Sequence, residues 1–256
     1  MNEPTLSIKE KNLLVQTCLL AGKILIENGS ELNRVSDTIK RIAANAGVPN
    51  LRAYVTITGI MISIDDDDTV AKIAEIDQRD FDLRRIEVVN RLSRKFAAHQ
   101  ITLHRFYRML QKIPYFGRYY QFWQRLLAAA LLSGMISVIF THDYGDFWLT
   151  SVVGMLGWLI YQGVRKRVTA SFISEFVAAT VIGMVAIMAV RLGLGHSADN
   201  IIIGAVMPLV PGVQITNAVR DLIYGNLISG PARGIEALIC ACALGFGVSL
   251  ALIWLG

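Results

Sequence analysis

"PLVPGVQITNAVRDL", residues 208–222, decides how many times this chain crosses a membrane. It continues "IIIGAVM" (201–207), a run greasy enough for lipid, yet sets Pro208 and Pro211 three residues apart with Gly212 behind them. Each proline removes a backbone donor and clashes with the preceding turn, so the helix must break. In hydrocarbon the freed carbonyls need partners from protein or water, which predicts a span broken inside a bundle or beside a wet cavity. Half-helices of this kind offer dipole ends and bare backbone groups to a solute near the midplane. A kink with only a packing role is the plainer alternative.

Asn217, Arg220, Asp221 and Tyr224 follow at i, i+3, i+4 and i+7, which places them on one helical face. Arg220 and Asp221 are sequence neighbours, so each is expected to pair with a group on another helix. One reading has Arg220 attracting a substrate carboxylate while Asp221 serves as counter-charge or proton acceptor. The other has both orienting the helix at the membrane surface. Gly225, Gly230 and Gly234 around Pro231 predict a tight turn, with Arg233 as an anchor on the cytoplasmic side.

Outward from this stretch, charge divides the chain. Residues 1–121 hold 32 of the 45 Asp, Glu, Lys and Arg side chains, and residues 122–256 hold 13. With 54% apolar residues and a mean hydropathy of +0.47, a soluble half joined to a membrane half is expected. The second half carries apolar runs at about 122–140, 147–164, 172–192, 200–216 (the broken one) and 235–255. Each approaches the roughly 20 residues that cross a hydrocarbon core. Lys and Arg mark the connections on one side, in "RKR" (165–167) and at Arg220 and Arg233, while "THDYGD" (141–146) and "GLGHSADN" (193–200) have none. The positive-inside rule then puts the N-terminus in the cytoplasm and the C-terminus outside after five spans.

The cations between Arg84 and Arg125 lead into the first span and suit anionic lipid headgroups. No stacking-aromatic or zinc pattern accompanies them, so nucleic acid is not expected as a partner. Cys18, Cys240 and Cys242 sit in apolar surroundings without a CxxC and read as small core residues. The pattern near Leu13 is amphipathic, so no signal peptide is expected.

Residues 8–27 recur at helical spacing up to Gly29, and Ser30 is placed to cap a second helix that stops before Gly47. "LRAYVTIT" (51–58) and "IMISID" (60–65) read as two strands joined tightly around Gly59, and "VAKIAEI" (70–76) as a third. Helical spacing returns at 82–98 and 101–112, which predicts a small α+β domain over 1–112 and a basic juxtamembrane linker over 113–121. Glu31 and Arg34 are spaced as an ordinary surface pair. "DDDD" (65–68) lacks the alternating spacing of a calcium loop and reads as a solvated acidic turn. Glu175, near the cytoplasmic end of the third apolar run, is an intramembrane carboxylate and by default a proton-site candidate. A residue snorkelling to the interface is the competing reading. No catalytic Ser/His/Asp set, P-loop or GxGxxG occurs, so no enzyme, cofactor or metal site is expected.

Two segments resemble a known family. "LVPGVQITNAVRDLIYGNLISGPARG" is similar to the membrane signature of the threonine/serine exporter (ThrE-like) family. "ENGSELNRVSDTIKRIA" followed by "VTITGIMISI" is similar to its N-terminal segment. The resemblance implies importance for Gly29, Glu31, Arg34, Pro211, Gly212, Asn217, Arg220, Asp221, Gly225, Gly230 and Arg233. It also implies the larger component of a split form, working with a second small multi-span membrane protein. Such pairs are linked to export of amino acids or of a dicarboxylate such as succinate, driven by the proton-motive force. Both substrate classes carry a carboxylate. Asp221 or Glu175 could take the ammonium of an amino acid.

The expected architecture is an α-helical membrane protein: a small cytoplasmic α+β domain, then five transmembrane helices (122–256), the fourth broken by prolines. Glu175, Pro208, Pro211, Gly212, Asn217, Arg220, Asp221 and Tyr224 form the expected substrate or ion pathway. Homo-oligomers are compatible with this arrangement. The rival is a membrane-anchored regulatory or assembly protein whose soluble domain carries the function.

Overall fold

The computed structural model describes residues 6–64, 70–76, 80–115, 120–168 and 171–256. "DDDD" (65–68) lies outside the described residues. The chain divides into two compact units, one of residues 1–119 with 217–231 and one of residues 120–216 with 232–256.

In the first unit α1 (Ile8–Glu27) begins in a capping box, Ser7 taking the Glu10 N–H and the Glu10 carboxylate taking the Ser7 N–H. α2 (Leu32–Asn45) follows, then the antiparallel strands β1 (Leu51–Val55), β2 (Gly59–Ile64) and β3 (Val70–Glu75) in that order. The register pairs Leu51 with Ile64 and Gly59 with Glu75. Alternation along β2 buries Ile60, Ile62 and Ile64 on one face and leaves Met61 exposed on the other. Leu14, Cys18, Ala21 and Leu25 of α1 and Val35, Ile39 and Ile42 of α2 are buried in the same unit. Gly22 lets α1 approach β2 closely, since a Cβ there would lie 2.7 Å from Ile60 Cδ1. α3 (Leu83–Ala97) and α4 (Leu103–Lys112) close the core, with the Phe96 and Phe106 ring centroids 5.5 Å apart.

The second unit contains α5 (Phe122–Thr141), α6 (Phe147–Arg165), α7 (Ser171–Arg191), α8 (Ala198–Val206), the first residues of α9 (Gly212–Ile223) and most of α10 (Ser229–Leu255). Among the described residues, α5, α6, α7 and α10 are long and apolar enough to cross a membrane. α8 and α9 form a fifth candidate if the pair is counted as one span. Lipid provides no hydrophobic push between helices, so contact depends on small residues that let backbones approach. A Cβ on Gly154 would lie 2.0 Å from Ser133 Oγ, and one on Gly204 would lie 2.8 Å from the Ser133 carbonyl oxygen. Arg191 donates to the Leu255 and Gly256 carbonyls at the end of α10, where a cation is favoured by the helix dipole.

The break after α8 is local and has a visible cause. Pro208 sits in a short 3-10 turn, Met207–Leu209. Val210 is then extended, with ψ 131°, because a residue before proline is pushed out of the helical region. The helix restarts at Gly212 on a path bent by 59°.

Three expectations are corrected here. Ser30 does not cap α2. Its N–H closes the end of α1 on the Leu25 carbonyl, 3.0 Å away, and Glu31 becomes the N-cap without a side-chain cap bond. The last apolar helix starts at Ser229, six residues before 235, because Pro231 falls in its first turn, where no N–H is required. Tyr224 does not continue the face of Asn217, because α9 ends at Ile223 and the Tyr224 ring is exposed.

Candidate functional site

The first unit brings together two segments almost 190 residues apart in sequence. α1 ends in a left-handed corner at Gly29, with φ +90°. The Gly29 N–H reaches the Ile26 carbonyl at 3.1 Å and the Ser30 N–H reaches that of Leu25 at 3.0 Å, a Schellman closure. α9 ends the same way at Gly225, φ +81°, with N–H bonds from Gly225 to Leu222 at 3.0 Å and from Asn226 to Asp221 at 2.8 Å. Glycine suits both corners because an L side chain is strained at such φ. At Gly29 space also decides, since a Cβ would lie 2.8 Å from the Phe81 ring.

The two corners are joined by polar contacts. Asn217 Nδ2 donates to the Gly29 carbonyl at 3.2 Å, and the Arg220 guanidinium is ion-paired with the Glu31 carboxylate. Asn226 Nδ2 donates to Asn33 Oδ1 at 3.4 Å. The Ile57 N–H, in the β1–β2 turn, donates to Ser229 Oγ at 3.3 Å. Asn217, Asp221 and Ser229 are buried, whereas Arg220 keeps about half of its side chain exposed (53%). A Cβ on Gly230 would lie 2.8 Å from Leu222 Cγ, so the turn between α9 and α10 folds back tightly.

This geometry revises the expected face. Asn217 and Asp221 share the buried side of α9, and Arg220 projects beside it to Glu31. Glu31 therefore answers Arg220 rather than its neighbour Arg34, which is exposed on α2. Pro208, Pro211, Gly212, Glu175 and Arg233 belong to the second unit, so the expected pathway residues are divided between the two units.

In the second unit Glu175 of α7 is buried, 6% exposed. Its Oε1 lies 3.9 Å from Cys240 Sγ of α10, and its Oε2 has no hydrogen-bond partner among the described residues. A carboxylate in such surroundings is costly unless paired or neutralised. On the same helix bundle, Arg165 donates to the Tyr161 hydroxyl at 2.8 Å. Arg233 is buried near the start of α10.

At another connection of this unit, Asp146 precedes α6 and clasps the loop before α8. It accepts from the His196 N–H at 2.8 Å and the Ser197 N–H at 3.2 Å, and its Oδ1 lies 3.2 Å from His196 Nδ1. Burial alone would push this carboxyl up, but the N–H donors and the His196 ring outweigh it and hold it below the usual range. Among the described residues no group of three or more His, Cys, Asp or Glu side chains could hold a metal ion.

Residues 16–254 match the family model described as "Putative threonine/serine exporter". The chain belongs to the threonine/serine exporter family. Exporters of this family are transporters, and with its several apolar helices this one is a multi-pass membrane protein. No curated protein and no solved structure matches the chain. In this chain, residue type and spacing mark Gly29, Glu31, Asn217 and Arg220 but not that they meet. Both pass over Asn33, Phe81, Asn226 and Ser229, neutral residues whose only signal is a polar or turn-rich neighbourhood. Cys240, a small core residue by its apolar surroundings, lies with its Sγ 3.9 Å from Glu175 Oε1.

Proposed function

We propose that the chain is a subunit of a secondary-active exporter of small carboxylate-bearing metabolites, threonine and serine or a dicarboxylate such as succinate. Its N-terminus is cytoplasmic, its five spans include the broken α8–α9 pair, and its C-terminus is outside. A second small multi-span membrane protein completes the pathway. The loop charges support the orientation, with Lys and Arg at 165–167, 220 and 233 and none at 141–146 or 193–200. α5 and α10 bury only 22% of their most apolar window within the chain, which leaves apolar surface for lipid or for the partner.

The observation that carries this reading is the break at Val210–Gly212, whose continuation is tied to the α1–α2 corner. A span interrupted beside the membrane midplane has backbone groups to offer a solute. Its far half, from Asn217 on, belongs to the first unit and is held there by Gly29 and Glu31. Arg220 acts as a positioning residue in this scheme. Glu175 is the group that carries the coupling proton, since it is a buried carboxylate with one oxygen unengaged.

The test is efflux of labelled threonine, serine and succinate from cells with this chain, its partner, or both, with and without a protonophore. Export of one substrate class by the pair, collapsed by the protonophore and by Glu175→Gln at equal expression, is expected. Protonophore-sensitive export unaffected by Glu175→Gln removes that residue from the coupling. No efflux of any substrate from the pair overturns the reading.

A further inference from the structure

α3 and α4 enclose a groove of about 300 Å³ lined by Val88, Arg91, Leu92, Lys95, Met109 and Lys112. Spacing assembles it. Residues 88, 91, 92 and 95 form one ridge of α3, and 109 and 112 lie one turn apart on α4. Val88 and Leu92 are buried and Met109 half-buried, so the floor is apolar, while Arg91, Lys95 and Lys112 are exposed around it. Arg91 is also paired with Glu87, 3.5 Å away in an exposed ion pair.

The volume is at the small end for a ligand pocket and suits one acyl chain segment rather than a whole lipid. A hydrophilic metabolite would gain nothing from Val88, Leu92 and Met109. A neutral apolar molecule would leave the three cations unused. The ligand that uses both has an apolar chain and an anionic head. The bilayer supplies such a molecule, and in sequence Lys112 stands ten residues before α5, a helix long and apolar enough to cross a membrane. Along that connection Tyr115, Tyr120, Phe122 and Trp123 are exposed, the residue types that settle at membrane interfaces.

We propose that this groove binds an anionic phospholipid, one acyl chain against Val88, Leu92 and Met109 and the phosphate between Arg91, Lys95 and Lys112. Phosphate accepts charge-assisted bonds from such cations, and removing one cation near an anionic headgroup lowers affinity about fivefold.

The test is native mass spectrometry of the full-length protein in detergent, titrated with phosphatidylglycerol, with phosphatidylcholine of the same chains, and with glycerol 3-phosphate. Wild type is expected to hold phosphatidylglycerol in preference to phosphatidylcholine. Lys95→Gln combined with Lys112→Gln should lose about 25-fold in affinity, two cations at about fivefold each. Met109→Glu should also lose the lipid. Arg105→Gln combined with Arg108→Gln removes the same charge from α4 outside the groove and should stay within about twofold of wild type. Equal loss in the two double variants would overturn the proposal, since the lipid would then respond to general surface charge. Displacement of phosphatidylglycerol by equimolar glycerol 3-phosphate would overturn it too, as headgroup capture without the chain. A lipid-independent dimer abolished by Met109→Glu would assign the groove to a second copy instead.

Discussion

Replacing Gly29 by alanine loads the corner at its tightest point. The residue has φ +90°, and a Cβ would lie 2.8 Å from both Cε1 and Cζ of Phe81. An L residue in left-handed backbone costs about 1–2 kcal/mol. The ring contact adds a second cost, limited because Phe81 is 43% exposed and can swing outward. Giving up that packing costs roughly 1 kcal/mol, for about 40 Å² of apolar surface returned to water. The total is about 2–3 kcal/mol, and a displaced corner also moves the carbonyl that Asn217 uses. Cys18 reports the effect. Its side chain is fully buried in the first unit, and burial pushes the thiol up to about 12, so an alkylating reagent at mild pH reaches it only when the unit opens. Where closing outpaces reaction, labelling follows the opening equilibrium. Peptide-resolved alkylation of Cys18 should then accelerate by about 30- to 160-fold in Gly29→Ala. In a Phe81→Ala background the increment should shrink to about 5- to 30-fold, the backbone share alone. A wild-type labelling rate in Gly29→Ala would refute the reasoning, and an undiminished increment without the ring would refute the steric part.

Two further outcomes follow from the second unit. Gly204→Val places a Cβ 2.8 Å from the Ser133 carbonyl oxygen, a backbone atom that cannot step aside, and should cost at least about 1–3 kcal/mol. A melting temperature in detergent within error of wild type would show that α5 and α8 are not packed so closely. Asp146→Asn weakens a clasp of charge-assisted bonds and should destabilise by about 2–3 kcal/mol near neutral pH. Because the Asp146 carboxyl is held below its ordinary value, its contribution is full above the unfolded value, near 3.9. It is lost as pH falls further, through the folded value. Wild type should therefore lose its advantage over Asp146→Asn only below about pH 4 in thermal melts, and parallel curves from pH 3 to 7 would contradict the assignment.

Periodicity made the elements legible. Alternation over 70–76 marks β3, and unbroken apolar runs mark α5, α6 and α7. Pro208 and Pro211 marked the break because their effect is steric and local. The corner was less legible. Glu31 and Arg34 are three apart, which favours a local pair, and no spacing rule reaches from Glu31 to Arg220. Ser30 looked like a cap on residue type alone. Its backbone was already committed to closing α1, a demand set by Gly29 and invisible in composition. Charge density suggested a cut near residue 121, while the compact unit that holds α1 also takes residues 217–231. Those fifteen residues are held by one ion pair, Arg220 with Glu31, and otherwise by neutral side chains and backbone groups, which leave little mark on a charge or hydropathy profile.

Export is proposed to depend on the α1–α2 corner holding the second half of the bent α8–α9 pair in place. Charge exchange at the Glu31–Arg220 pair tests it most directly, in the labelled-efflux assay with matched membrane levels. Glu31→Arg and Arg220→Glu each set like charges against one another and should each lower efflux several-fold. The double variant, which restores an opposite-charge pair in reverse, should recover a substantial part of wild-type efflux. Single reversals that export normally would contradict the account. So would a well-inserted double variant as inactive as Arg220→Glu, because Arg220 would then be needed at its own position for contact with substrate rather than for holding the segment in place.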